Sequence, residues 1–263
     1  MLNGKTISLI IPVFNEARNI AGVLESIPSF VDHVIVVDDG SLDYTSTLVE
    51  EGIAKYQQLF PDRNVCFHHL NHKTNKGKGA AVKTGYRLAL SLNTHLTGTI
   101  DGDGQMDMLE FESLCIPVVD DIADYAKGER LSHHEATSII PCTRLFGIRI
   151  LSFATRVISG YSSIKDAQSG FTVISREFLK RLPVNSLYDS YGYPNDILIR
   201  LSMLDARVKE IPITPIYHQN AESKMRLYKV IPQILFLLFR LSAIKLNYRI
   251  FLNRSDLSTI DKK

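Results

Sequence analysis

Three strand-like runs that each stop at a polar, mostly acidic cluster set the tightest constraint on this chain. Residues 6–13 read TISLIIPV, 33–37 read HVIVV and 97–100 read TGTI. Continuous β-branched and aliphatic stretches of this length suit strands buried on both faces. Asn15 and Glu16 follow the first run and Asp38-Asp39-Gly40-Ser41 the second; Asp101-Gly102-Asp103-Gly104-Gln105 follows the third. Helical periodicity fills residues 17–26, 43–59 and 78–91, with Asp43 available to cap the second helix, and 65–69 reads as a further strand. Strands alternating with helices predict βαβ units and a mostly parallel α/β sheet. Ligands of such sheets bind beyond the carboxyl ends of the strands. One acidic cluster there is an ordinary turn or cap. Three on one edge predict a binding site.

The second half is less regular. Helices are expected at 144–159 and 193–204, the latter opening near Pro194, and strands at 171–175 and 208–213. No repeat, low-complexity tract or linker separates the halves, so 263 residues make one large domain or one with a small appendage. The second half is expected to supply the acceptor side of a single cleft. A formal net charge of +2 gives no reason to expect a nucleic-acid partner. Cys66, Cys115 and Cys142 form neither a CxxC pair nor a Cys/His cluster, so reduced thiols are expected. The N-terminus carries no signal-peptide pattern, which predicts a cytoplasmic protein.

Asp101-Gly102-Asp103-Gly104-Gln105 is the segment richest in chemistry. Carboxylates two residues apart, followed by a side-chain carbonyl, are hard oxygen ligands for Mg²⁺ or Mn²⁺. Such a cation would bridge a diphosphate and neutralise it as a leaving group. A calcium loop would place its last ligand at Glu112, but Met106, Met108 and Phe111 interrupt that pattern. No GxGxxG follows the first strand, which argues against a dinucleotide-dependent dehydrogenase.

Read together with IPVFNE (11–16), VVDDGS (36–41), NKGKGAA (75–81), KGER (127–130), DAQSGF (166–171) and ESK (222–224), the chain resembles family-2 inverting glycosyltransferases of the GT-A type. It is most similar to the branch of dolichol-phosphate mannose synthases and polyprenyl-phosphate glycosyltransferases. The resemblance implies a Rossmann-like GT-A catalytic domain over 1–226 and a C-terminal amphipathic helical tail over 227–263. It also implies residue roles. Pro12, Phe14 and Glu16 would line the nucleoside pocket, with Asp39 accepting from the base and Asp38 supporting its loop; Phe14 taken by spacing alone is equally a core aromatic. Gly77, Lys78 and Gly79 would meet the phosphates, as a helix start favours an anion. Asp103 and Gln105 would hold the metal, Asp101 would contact the sugar or support the loop, and Asp101 and Gly102 would belong to the nucleotide-binding set. Arg130 and Arg144 would surround the phosphates, and Gln168, Ser169, Gly170, Ser223 and Lys224 would form the acceptor side. Asp196 would be the catalytic carboxylate, a general base if the acceptor is a hydroxyl.

The tail reads KVIPQILFLLFRLSAIKLNYRIFL over 229–252. Its longest uncharged run, 230–239, is short against the ~20 apolar residues of a membrane span, so a helix lying in the interface is expected. Lys229, Gln233, Arg240, Asn247 and Arg254 would share a polar stripe opposite Ile231, Leu235 and Leu238, with a bend or end near Ser242. Packing on the chain's own domain is the competing arrangement. The resulting expectation is a metal-dependent transferase at the cytoplasmic face of a membrane, moving a sugar from a nucleotide donor, UDP-linked before GDP-linked, to a lipid phosphate. A hydroxyl acceptor and a non-catalytic nucleotide-sugar binder are the alternatives. Tyr217-His218-Gln219-Asn220 departs from the turn that relatives carry before ESK.

Overall fold

All seven residues of Ile7–Val13 are buried, and this strand, β1, becomes the middle of the sheet. The structure, a computed structural model, describes residues 1–132, 140–216 and 227–260; of 227–229 and 249–260 it describes the backbone alone. In chain order β1 is followed by α1 (Ile20–Glu25), β2 (His33–Asp38), α2 (Thr45–Leu59), β3 (Cys66–Asn71), α3 (Lys78–Ser91) and β4 (Leu96–Thr99). Then come α4 (Phe111–Val119), β5 (Tyr125–Glu129), α5 (Cys142–Ser159), β6 (Thr172–Ser175), α6 (Arg176–Arg181), α7 (Tyr193–Met203), β7 (Val208–Pro212) and α8 (Leu227–Ile260). The seven strands form one sheet in the order β3-β2-β1-β4-β6-β5-β7. Only β6 runs against its neighbours; the pairings β1–β2, β1–β4, β2–β3 and β5–β7 are parallel. The sheet is therefore mostly parallel, as expected. Because β1 is flanked by β2 on one side and β4 on the other, the strand order reverses there, and a crevice opens beyond the carboxyl ends.

Side-chain alternation divides the core in two. Ile7, Leu9, Ile11 and Val13 point to one face, where α1, α2 and α4 cover them; Ile10, Ile35 and Val37 point to the other, against α3, α6 and α7. The sequence reading gave no element at α4, β5 or α6. In β5 the mid-strand Lys127 and the terminal Glu129 are buried, so a core strand carries charge that polarity patterning takes for loop. Asp43 does assist α2, accepting from Thr45 N–H at 3.0 Å, although it lies one residue before the cap position.

The tail departs most from expectation. Helix α8 runs unbroken past Ser242, and its segment Val230–Tyr248 is long and apolar enough to cross a membrane by length and composition. A third of that segment is buried on the protein. Val230, Ile234, Leu237, Leu238 and Leu241 pack with Leu151 of α5 and Ile199 of α7. Lys245, which interrupts the apolar run, is buried: its ammonium donates to the carbonyls of Ile158 and Ser159 and to Ser202 Oγ. Gln233, Arg240 and Asn247 are exposed as anticipated. Leu238, expected on the opposite face, packs inward, while Leu235, Phe236, Phe239 and Leu246 are exposed, as are Phe146, Phe153 and Val157 of α5. The helix is thus apolar on two sides, one spent on the domain and one presented outward.

Candidate active site

The crevice beyond β1, β2 and β4 is a cleft of about 980 Å³. Its first wall is made where the loops after β1 and β2 are stitched together. Asn15 adopts a positive φ of 54°, its N–H donates to Ser41 Oγ at 2.9 Å, and its side-chain carbonyl accepts from Leu42 N–H at 2.8 Å. Glu16 N–H donates to Thr45 Oγ1 at 2.7 Å. Pro12, Phe14 and Glu16 line the cleft here. Asp38 does not; it is buried and accepts Ser41 N–H at 2.8 Å, bracing the loop.

Asp39 lines the cleft while holding the next loop in place. Its Oδ1 accepts from Lys76 N–H at 3.0 Å and from His72 Nδ1 at 2.7 Å, and its Oδ2 accepts from Gly77 N–H at 2.7 Å. A carboxylate oxygen accepts two donors, so Oδ2 keeps one position for a ligand. His72 is fixed from its other side by Thr84 Oγ1, 2.9 Å from Nε2. The sequence reading passed over His72, although it lies one residue beyond the carboxyl end of β3, where the rule applied to β1, β2 and β4 would have found it. Gly77 needs its glycine: φ is 100°, and a β-carbon would stand 2.4 Å from the Asp189 carbonyl.

The floor is the loop after β4. Asp101, Gly102, Asp103 and Gln105 all line the cleft. Lys78, in the first turn of α3, reaches across to Asp101 at 2.6 Å. Burial, then the neighbouring Asp101 carboxylate, push the Asp103 carboxyl up to about 6, against the pull of Lys78 and of Gln105 N–H, 3.0 Å from Oδ1. Two carboxylates share one ammonium, which is the charge imbalance a divalent cation would correct. Among the described residues no group of three or more His, Cys, Asp or Glu forms a complete metal cage. Asp103 with the Gln105 side chain instead fits a cation whose other positions are filled by a substrate's oxygens, the usual Mg²⁺ arrangement.

The opposite wall is built from two interlocked motifs. Arg130 donates through Nε and Nη2 to both oxygens of Asp166, at 2.7 and 3.1 Å, and the Lys127 ammonium donates to the Asp166 carbonyl. Glu210 accepts the N–H groups of Lys165 and Asp166 at 2.7 and 3.0 Å. Burial alone would raise the Asp166 carboxyl, but the charge and hydrogen bonds of Arg130 outweigh it and hold it below the usual range; burial lowers Lys127. This network presents Arg130 to the cleft beside Arg144 and Gln168. Gln168 Nε2 donates to Asn195 Oδ1, and Asn195 Nδ2 to Thr155 Oγ1 at 2.7 Å. Ser169 is fully buried, its Oγ accepting Phe171 N–H at 3.4 Å, and Gly170 backs onto Asp101 rather than lining the wall. Ser223 and Lys224, like the departing 217–220 turn, lie outside the described residues.

Asp196, like Asp38, Ser169 and Gly170, is not among the residues that line the cleft. It is 1% exposed and accepts from Tyr188 N–H at 2.8 Å and Arg200 Nε at 2.6 Å. It lines a separate cavity of about 280 Å³, shared with Arg200 and Arg240. Burial raises its carboxyl, and Arg200 pulls it back. Tyr193 and Pro194 take the cleft-facing positions at the start of α7. Asp196, further along the helix, is absent from the cleft lining and belongs to the neighbouring cavity, which shares Ser190 with the cleft.

Comparison with known proteins agrees with this geometry. Residues 8–182 match the model of glycosyl transferase family 2. A UDP-N-acetylglucosamine–dolichyl-phosphate N-acetylglucosaminyltransferase of Methanococcus voltae is 29% identical over 225 residues, 84% of this chain and 89% of that one. A polyprenol monophosphomannose synthase of Mycolicibacterium smegmatis is 30% identical over 222 residues, 82% and 80% of the two chains. The crystal structure of glucosyl-3-phosphoglycerate synthase from Mycobacterium tuberculosis superposes with a TM-score of 0.67 at 20% identity, covering 91% of this chain and 81% of that one, and so shares its fold. That synthase has also been solved with Mn²⁺ and UDP. With the fold, the strand-end cleft and a match over most of its length, this chain belongs to glycosyl transferase family 2 and is a glycosyltransferase.

Proposed function

We propose that the enzyme transfers one sugar from a nucleoside-diphosphate donor, UDP-linked rather than GDP-linked, to a polyprenyl or dolichyl phosphate. The observation that carries this reading is the charge asymmetry of the cleft. One side holds the Asp101–Asp103 pair with Gln105, and the other presents Arg130 and Arg144. The first suits a metal-chelated diphosphate and the second suits another anion, which a phosphorylated lipid is and a sugar hydroxyl is not. The relatives named for dolichyl-phosphate and polyprenol transfer support the same acceptor class.

Phe14 and Pro12 would flank the base, and the remaining acceptor position of Asp39 Oδ2 would read a pyrimidine N–H. The diphosphate would meet Lys78 and the N-terminus of α3, where the helix dipole favours an anion. Mg²⁺ or Mn²⁺, held by Asp103 and Gln105, would offset charge on the departing diphosphate. Arg130, fixed by Asp166, and Arg144 would hold the acceptor phosphate in line with the anomeric carbon. A phosphate acceptor is ionised at neutral pH and needs no strong base, which fits the position of Asp196 away from the cleft. The outward apolar faces of α5 and α8 would rest on the cytoplasmic face of the membrane that carries the lipid.

The test is a screen of radiolabelled UDP- and GDP-sugars with a polyprenyl phosphate in detergent, with Mn²⁺, Mg²⁺ or EDTA. Metal-dependent label in the organic phase is expected. Donor binding without lipid product, but with label on an oligosaccharide, would overturn the lipid-phosphate reading in favour of a hydroxyl acceptor.

A further inference from the structure

Tyr193 is in the cleft wall, and the chemistry just described gives its hydroxyl nothing to do. The residue is 2% exposed at the start of α7. Its Oη has no hydrogen-bond partner among the described residues. Burying a hydroxyl unpaired costs about 1–3 kcal/mol. A phenylalanine would fill the same space without that penalty, so the hydroxyl makes sense only if another state of the protein gives it an acceptor.

Asp101 supplies an acceptor bordering the same space. A β-carbon placed on Gly170 would stand 2.8 Å from Asp101 Oδ1 and 3.1 Å from Tyr193 Oη. Both oxygens therefore border one small space, kept open by a residue that has no side chain. Asp101 Oδ1 is itself buried and lies 2.6 Å from the Lys78 ammonium, in an ion pair whose geometry is not that of a hydrogen bond. A donor without an acceptor thus adjoins an acceptor held by charge alone.

That ion pair is exposed to competition. Lys78 opens α3, where a bound diphosphate would sit, and phosphate oxygens would draw its ammonium away from Asp101. We propose that Tyr193 is a positioning residue for the donor sugar: as Lys78 turns to the diphosphate, the Tyr193 hydroxyl donates to Asp101 and holds that carboxylate toward the sugar. The inference rests on the reading of the cleft as a nucleotide-sugar site. A phenol–carboxylate bond is charge-assisted and stronger than a neutral one.

The full chain carrying Tyr193→Phe tests this with Mn²⁺ present. Calorimetry would give dissociation constants for UDP against UDP-glucose and UDP-N-acetylglucosamine, and for GDP against GDP-mannose. The quantity read is the gain in affinity that the sugar confers over the bare diphosphate. It should fall about fivefold to tenfold in the variant, the size of one net hydrogen bond. A merely structural role would weaken both constants together and leave their ratio alone, so an unchanged ratio overturns the inference. Gly170→Ala keeps the hydroxyl but fills the shared space, and it should lower the same ratio even if Tyr193→Phe fails to fold. If no sugar nucleotide outbinds its bare diphosphate in the wild-type chain, there is no gain for Tyr193 to support and the inference falls. If the wild-type chain binds no nucleotide at all, the donor-site reading falls with it.

Discussion

The Asp166 carboxylate behind the cleft wall and the Asp101–Asp103 pair in the cleft are treated in opposite ways. Asp166 is fully buried and over-supplied with partners: both its oxygens accept from Arg130, and Lys127 and Glu210 hold its backbone. Asp101 and Asp103 sit close together with one lysine between them, and Asp103 is pushed up to about 6. A charge buried with its counter-charge is part of the framework, because removing one partner leaves the other stranded. A charge left short of counter-charge is unfavourable to the folded protein alone and becomes favourable when a ligand brings what is missing. The comparison separates the residues that build this site from those that use it.

Asp166→Asn should have the largest effect. It takes from the buried Arg130 guanidinium the carboxylate that accepts from its Nε and Nη2, and from the buried Lys127 ammonium a nearby negative charge, which costs about 3–5 kcal/mol in comparable pairs. Urea unfolding at neutral pH measures the loss, and a change below about 1 kcal/mol would break the distinction. The pH dependence follows from the sign of the shift. The folded carboxyl lies below its ordinary value, so its contribution is complete above the unfolded value of about 3.9 and disappears as pH falls through the lower folded one. The variant should lack that component of acid destabilisation below about pH 4.

Asp103→Asn should behave in the opposite manner. The folded carboxyl lies above its ordinary value, so this group holds the metal-free protein back increasingly as pH rises from about 4, and fully above about 6. In EDTA at pH 7.5 the variant should be as stable as the wild type or more stable, by on the order of 2 kcal/mol. Binding of UDP with Mn²⁺ should fall by about a hundredfold or more. A variant that loses stability without EDTA-sensitive binding would place Asp103 in the framework instead.

This contrast also explains what the sequence revealed. Donor-side groups hang from ends of buried parallel strands, where aliphatic runs and the carboxylates after them stand next to each other in the chain. Pro12, Glu16, Asp39, Asp101 and Asp103 were therefore legible, and the elements from β1 to β4 fell within a few residues of expectation. The other wall depends on contacts between distant segments. Lys127 and Glu129 look like surface residues until Asp166, thirty-odd positions on, is folded beneath them, and this hid β5. The position of Asp196 depends on the rotation of one helix, and the sequence does not fix which of Tyr193, Pro194 or Asp196 meets the cleft. The two-sided character of α8 was hidden because the burial of Lys245 is a tertiary event.

His72 sharpens the comparison, since its partner Asp39 belongs to both classes: it is braced by two backbone N–H groups and His72, yet keeps one acceptor position at the cleft. His72→Phe should leave the loop held by the backbone donors while freeing the carboxylate to rotate. UDP affinity is expected to drop about tenfold, with the Mn²⁺ requirement intact, as suits a lost hydrogen bond to a charged group. His72→Gln, which can still donate, should recover part of it. Equal loss in both variants would mean that the imidazole only fills space.

The smallest effect concerns the same distinction in apolar form. On α8, Ile234 and Leu238 are buried against the domain, whereas Phe236 and Phe239 are 65% and 70% exposed. Surface substitutions away from such framework contacts usually change stability by less than about 0.5 kcal/mol. Phe239→Ser should therefore leave urea unfolding unchanged, yet reduce sedimentation with liposomes of anionic lipid by about fivefold, the order expected from the apolar area withdrawn from a membrane interface. Leu238→Ser should do the reverse, lowering stability by roughly 2–5 kcal/mol through the cavity it opens, while the folded fraction keeps its liposome affinity. If Phe239→Ser instead unfolds the chain, or leaves sedimentation untouched, the outward face of α8 is not a membrane surface, and both sides of that helix belong to the protein's own packing.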